Sequence, residues 1–216
     1  MYTLYYSPDA CSMAVHIVLE EIGIPFACRR VSVIEGETGR EPYLSVNPKG
    51  RVPALEWNGN ILTEVTAILC FLASRHPEAE LLPFGELRRA RCLEWLSWLA
   101  SEVHPAFGQL WRPNRSVADA TLFPQVQAQG RQNILDRFAF LEEALSSPSA
   151  SNPWAQGFTL VDPLLLVYYR WGQMMKFDMA SFPRWSERCA ATMSRPATVR
   201  ALQREAGKPE EIAAIA

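Results

Sequence analysis

The chain lacks any apolar run near the ~20 residues that cross a bilayer, so it offers no candidate for a membrane-spanning helix. It also lacks an excess of charge of one sign: 21 Lys and Arg face 23 Asp and Glu, a formal net charge of −2. A nucleic-acid or anionic-membrane partner needs a basic surplus, so neither is expected. Five cysteines (Cys11, Cys28, Cys70, Cys92, Cys189) form no C-x-x-C pair, and their number is odd. The three histidines (His16, His76, His104) are scattered, which leaves no zinc-type ligand set and no metal to expect. The N-terminal "MYTLYYSPDA" has no basic stretch followed by an apolar one. Without a leader of that kind or a disulfide framework, a reducing, cytoplasmic setting is expected. Internal repeats and low-complexity segments are absent too.

What is present divides the 216 residues into two halves with different patterning. Residues 1 to about 75 mix strand and helix signals. "YTLYY" is short and β-rich, and it ends at Ser7-Pro8. Apolar residues at Met13, Ile17, Val18 and Ile22 give helical spacing over 9–22, stopped by Gly23 and Pro25. Residues 27–33 predict a second strand. "VPALEW" and "NILT", joined by Asn58-Gly59, predict a hairpin, because Asn-Gly favours the turn that matches strand twist. Residues 64–76 predict another amphipathic helix. The order β-α-β-irregular-β-β-α implies a small sheet with helices packed on it.

Two prolines in "PEAELLPFG" break the pattern, and no convincing strand follows. Residues 86–112 and 124–147 are long amphipathic stretches, separated by "SSPSASNPW" from a helical final third. The expected layout is a mixed α/β domain over 1–77, a linker over 78–86 and an all-helical domain over 87–216. Within the last, Thr159-Leu160-Val161-Asp162 reads as a capping box, in which hydroxyl and carboxylate each bond the other's backbone N–H. Such a cap contributes roughly 0.5–2 kcal/mol.

Three features carry chemistry. Cys11 falls in the first turn of the first helix, where free N–H groups and the macrodipole lower a thiol pKa below ~8.5. A buried, inert cysteine is the other reading of that position, and spacing alone leaves the two even. No second cysteine follows within three residues, so any redox cycle needs an external thiol. Val52-Pro53 precedes a strand, in either a cis or a trans connection. A backbone exposed there can pair with an extended peptide. Glu64 opens the next helix, whose free N–H groups would hold a ligand carboxylate.

The segments "YYSPDACSMAVHIVLEEIG", "YLSVNPKGRVPALEWNGNILTE", "EWLSWLASEVHPAFGQLWRP" and "GFTLVDPLLLVYYRW" together resemble the bacterial beta-type glutathione transferases over nearly the whole chain. The resemblance implies a thioredoxin-like N-terminal domain, an all-helical C-terminal domain and a homodimer. It implies glutathione as co-substrate, with a small hydrophobic electrophile as its partner. Position by position, Cys11 matches the cysteine near the glutathione sulfur. Val52 matches the residue that pairs with the cysteinyl backbone, and Pro53 the cis-proline. Glu64 matches the acid near the γ-glutamyl ammonium. His104 matches a histidine facing the thiol, and Tyr6 a tyrosine near the site. Phe107 and Trp111 are expected to line an apolar pocket.

Three positions depart from the family pattern. Val65 stands where Ser or Gly is usual, leaving only its backbone N–H for the γ-glutamyl carboxylate. Glu35 aligns with a lysine near the glycine end, where Arg40, Lys49 or Arg51 would have to compensate. Ser97 replaces an asparagine. The expected activity is conjugation of glutathione to apolar electrophiles or thiol–disulfide chemistry through Cys11. A non-catalytic binding or regulatory protein with a weakened glutathione site is the alternative.

Overall fold

The computed structural model describes residues 1–147, 149 and 152–207. Its N-terminal part is built from β1 (Tyr2–Tyr6), α1 (Ser12–Ile22), β2 (Phe26–Arg30), α2 (Tyr43–Val46), β3 (Ala54–Trp57), β4 (Asn60–Thr63) and α3 (Val65–Arg75). The four strands lie in the order β2-β1-β3-β4, with β1 and β2 parallel and the other pairings antiparallel. Gly23 ends α1 with φ 75°, a left-handed conformation that returns its N–H to the Leu19 carbonyl at 3.1 Å. Asn58 and Gly59 both have positive φ (49° and 74°), as a two-residue turn between twisted strands requires.

The second strand is shorter than the expected 27–33. The Val31 N–H reaches the Tyr6 carbonyl at 2.7 Å, and there β1 runs out. Beyond it the Ser32 N–H goes to the Glu37 carboxylate (2.6 Å) and the Val33 N–H to the Ser7 hydroxyl (3.1 Å). The ladder ends because side chains take its next donors.

The helical remainder comprises α4 (Glu86–Trp98), a π-helical turn (Leu99–Val103), α5 (His104–Trp111), α6 (Phe123–Ser146), α7 (Val161–Met174), α8 (Pro183–Met193) and α9 (Pro196–Ala206). No strand follows β4 among the described residues. Residues 208–216 of the expected helical domain lie outside the described residues. The segment read as a linker is tied down: Leu81 is 3% exposed, and its carbonyl accepts the Leu160 N–H at 3.0 Å.

The main core runs from one face of the sheet through α1 and α3 into the helical part, with Leu4, Ile17, Leu69, Phe107, Phe138 and Trp185 among its buried members. A second, smaller cluster (Tyr5, Val31, Tyr43, Val52, Ala54) lies on the other side of β1 and β3. Because side chains alternate along a strand, Tyr5 and Tyr6 enter different clusters.

The capping box is half realised. The Thr159 N–H and hydroxyl both donate to the Asp162 carboxylate (2.6 and 3.2 Å), but the Thr159 hydroxyl accepts from Val161, at 3.4 Å, and not from Asp162. Asp162 also meets the Arg188 guanidinium at 2.5 Å, a contact not evident from local spacing. Burial raises the Asp162 pKa, with Arg188 and Thr159 opposing.

Candidate active site

Cys11 immediately precedes α1 and is 7% exposed. Its Sγ donates to the Val52 carbonyl at 3.5 Å. The helix-start effect is present, since the backbone N–H groups of Cys11 and Ser12 both lower the thiol pKa. Burial outweighs them and pushes it up to about 12, with Glu64 adding to the rise and Arg51 opposing it. The expected drop in pKa is therefore not found, because desolvating a thiolate costs more than two amide dipoles return.

The loop that carries Cys11 is held from both sides. Ser7 and Ser12 exchange hydrogen bonds of 3.1 Å. From α7, the Trp171 indole N–H donates to the Asp9 carbonyl (2.7 Å), and Arg170 pairs with the Asp9 carboxylate (2.7 Å). Asp9 has φ 58°, a conformation that these contacts sustain.

The Val52–Pro53 peptide is cis, as is Glu41–Pro42. Val52 is followed by the start of β3, and no partner for its N–H is found among the described residues. Glu64 precedes α3 with φ 72° and ψ 119°, outside the left-handed basin that non-glycine residues tolerate. Its carboxylate is exposed and pairs with Lys49 at 2.7 Å, while Lys49 also bonds the Thr63 hydroxyl at 3.0 Å. The Val65 side chain is 7% exposed and belongs to the main core, so only its backbone can face a ligand.

His104 is the first residue of α5, directly after the π-helical turn. Pro105 disfavours helical geometry at residue 104, which by itself would put a bend there. The chain instead keeps His104 helical (φ −58°, ψ −47°) and inserts the wider turn before it. Its ring packs edge-on against Trp171 (5.1 Å) and Tyr168 (6.1 Å). The Tyr168 hydroxyl lies 3.5 Å from Nδ1. Burial lowers the His104 pKa to about 4, reinforced by Arg51 and Arg112, so the imidazole is neutral at physiological pH.

Three expected site residues are placed otherwise. Tyr6 is 1% exposed, with its ring on His16 (5.6 Å) and its hydroxyl in the electrostatic field of Cys28 and Glu205. It therefore belongs to the core cluster opposite Val52. Phe107 is fully buried, with Trp111 (5.3 Å), Trp171 (5.3 Å) and Phe138 (6.0 Å) around it, and cannot line an open pocket. Ser97 is exposed on α4 with no hydrogen bond among the described residues. Trp111 keeps an open face: it is 41% exposed and stands edge-on to Trp171 at 4.7 Å.

Sequence reading missed Tyr168, Trp171 and Asp9. Tyr168 is buried beside His104, and burial raises its pKa, with the neighbouring Cys11 adding to the rise. The available signal was "YYRW", apolar on one side of α7 yet ending in hydrogen-bonding tips, which buried Tyr and Trp must satisfy. At the glycine-end position, Arg40 is committed to its own loop through the Glu35 and Gly36 carbonyls, and Lys49 to Glu64. Of the three, only Lys49 has an ion pair among the described residues, and only the Arg51 side chain has neither an ion pair nor a hydrogen bond there. No group of three or more His, Cys, Asp or Glu that would hold a metal occurs among the described residues.

The family description "Glutathione S-transferase, N-terminal domain" matches residues 10–75. The glutathione S-transferase GstA of Escherichia coli O157:H7 is 36% identical over 200 residues, covering 90% of this chain and 92% of that one. A glutathione transferase homologue from Sulfitobacter, solved with bound glutathione, superposes with a TM-score of 0.88 at 30% identity, over 94% of this chain and 98% of that one. The bacterial beta class glutathione S-transferase of Sphingomonas chungbukensis gives a TM-score of 0.79 at 33% identity, over 94% and 98%.

Proposed function

The chain belongs to the glutathione S-transferase family, with glutathione as co-substrate, and on that premise we propose that it conjugates glutathione to small apolar electrophiles on the face bounded by Cys11, Val52, Glu64 and His104. The observation that carries this reading is the 3.5 Å hydrogen bond from Cys11 to the Val52 carbonyl. The thiol occupies the acceptor that an extended tripeptide would use, at an edge with a spare N–H. Docked there, glutathione brings its own cysteine beside Cys11. Its γ-glutamyl ammonium meets Glu64, its α-carboxylate the Val65 N–H at the start of α3, and its glycine carboxylate the unpaired Arg51.

His104 is neutral, so it serves the glutathione thiolate through an N–H hydrogen bond and not through a positive charge. The Tyr168 hydroxyl orients its ring. The thiolate attacks the electrophilic carbon, a C–S bond forms, and the leaving group departs with the bonding pair. Conjugation is favoured over thiol–disulfide exchange through Cys11, because exchange needs a thiolate and a thiol pKa near 12 supplies almost none at pH 7.

Glutathione would thus be held by the N-terminal domain (1–77) and the electrophile by the helical domain (87–216), across the 78–86 connection. A homodimer is supported by apolar side chains left open on α4, on α6 and just before α4: Leu87, Leu93, Phe140 and Phe84. Five unpaired cysteines suit a reducing cytoplasm. No helix among the described residues is long and apolar enough to cross a membrane.

The test is retention on immobilised glutathione with elution by free glutathione, followed by turnover of 1-chloro-2,4-dinitrobenzene. Cys11→Ala is expected to keep conjugation within about threefold and to lose any mixed disulfide with glutathione. Loss of conjugation in a folded Cys11→Ala protein would overturn the division of labour. Absence of both retention and turnover in the wild type would overturn the function.

A further inference from the structure

The charges around this face do not cancel. Three carboxylates here have their own cations: Glu64 has Lys49, Asp9 has Arg170 and Glu102 has Arg137, each at 2.7 Å. Arg51, Arg112 and Arg115 have no ion pair among the described residues. Three guanidiniums without a carboxylate partner are free to take an anionic ligand.

Their placement is specific. Arg112 caps the C-terminal end of α5, the helix whose first residue is His104, and directly follows the exposed Trp111. Arg115 lies in the short turn after it, its amide donating to the Arg112 carbonyl at 3.0 Å. Arg51 adjoins Val52, just before β3. Arg115 has a lowered pKa, through burial first and then Arg112 and Arg51, and the same two arginines depress His104. The guanidiniums and the imidazole therefore share one electrostatic field.

Glutathione accounts for one of these cations, since its glycine carboxylate takes Arg51. Arg112 and Arg115 remain, just after Trp111 in the chain. We propose that the electrophile taken by this enzyme is an anion, an aryl compound bearing a carboxylate or sulfonate, whose ring lies on Trp111 while its anionic group is held by Arg112 and Arg115. Guanidiniums suit this task because their planar forks bind a carboxylate through two parallel N–H groups. An aromatic surface beside them accepts the flat ring. The inference rests on the conjugation reading above and replaces its apolar electrophile with an aryl one that carries a negative charge. In the reaction the glutathione sulfur bonds to the ring carbon, the halide leaves with the bonding pair, and the carboxylate passes through unchanged.

The test compares 4-chloro-3,5-dinitrobenzoate with its methyl ester, each normalised to its uncatalysed rate with glutathione. The expected result is a KM for the acid at least tenfold below that for the ester, rising with ionic strength as a charge interaction must. The double variant Arg112→Gln/Arg115→Gln is expected to bring the ratio of the two KM values to within about twofold of unity. Both substitutions are at side chains without a partner in the fold, so folding is retained. Equal KM values in the wild type, or a ratio unchanged in the double variant, would overturn the inference and leave the conjugation reading standing. No turnover of either compound, with no retention on glutathione, would remove the reading itself and the inference with it.

Discussion

His104 has the side chain whose ordinary pKa falls nearest neutrality, and its surroundings move it out of that range. Folded, it titrates at about 4, whereas an unstructured histidine titrates at about 6.5. Activity is thus expected to show no histidine limb between pH 5 and 8. The stability effect has a definite sign: below about pH 6.5 the unfolded chain takes up a proton that the folded one refuses. His104 therefore subtracts stability as pH falls from about 6.5 to 4. Replacing it by alanine removes a hydrogen bond to a thiolate, worth about 1.5–3 kcal/mol, so kcat/KM should fall roughly ten- to hundredfold with binding of glutathione nearly intact. Stopped-time assays over pH 5–8 check both statements, and a pH limb near 6.5 in the wild type would contradict the neutral imidazole. Cys11 teaches the complementary point. Residue type and helix position suggested an activated thiol, and burial, with Glu64 adding to it, produced a protonated one.

At the level of elements, most of the architecture was legible because its determinants are local. Asn58-Gly59 specifies a turn, Gly23 a helix end, and the apolar spacing of 9–22 and 64–76 their helices. What escaped was non-local. The π-helical turn before His104 is set by packing along a helix that spans 86–111, and nothing in "LASEV" announces it. Tyr168 meets His104 across 64 positions of chain, so no spacing rule reaches the pair. Tyr6 was misplaced for a related reason: neighbouring tyrosines on β1 face opposite ways, and only the pairing settles which faces Val52. The box at the start of α7 was recognised, but its strongest partner, Arg188, comes from α8. Asp162→Ala would leave that guanidinium and the Thr159 N–H without their acceptor inside the fold. A loss of about 3 kcal/mol is expected. For a chain of this size that corresponds to a Tm lower by roughly 6–12 °C in calorimetry. Asp162→Asn, which keeps the shape and some of the bonds, should lose less. A Tm unchanged by Asp162→Ala would show the box to be dispensable.

Taken whole, the molecule presents Phe84 (69% exposed), Leu87 (62%) and Phe140 (51%) to solvent, more than scattered surface apolars account for. Light scattering at micromolar concentration is expected to give twice the mass of the 24.3 kDa chain. Phe84→Asp should shift that value toward the monomer, and a wild-type monomer at all concentrations would refute the dimer. The two halves are also joined within each chain, through the grip of Arg170 and Trp171 on Asp9. That grip sets an order of events during synthesis. The loop bearing Cys11 leaves the ribosome some 160 positions ahead of the side chains that fix it. A nascent chain paused between α6 and α7 would already carry all four strands of the sheet, but not the side chains that set the thiol loop. The thiol loop is therefore set only when α7 closes back onto it, after every strand of the sheet has been made.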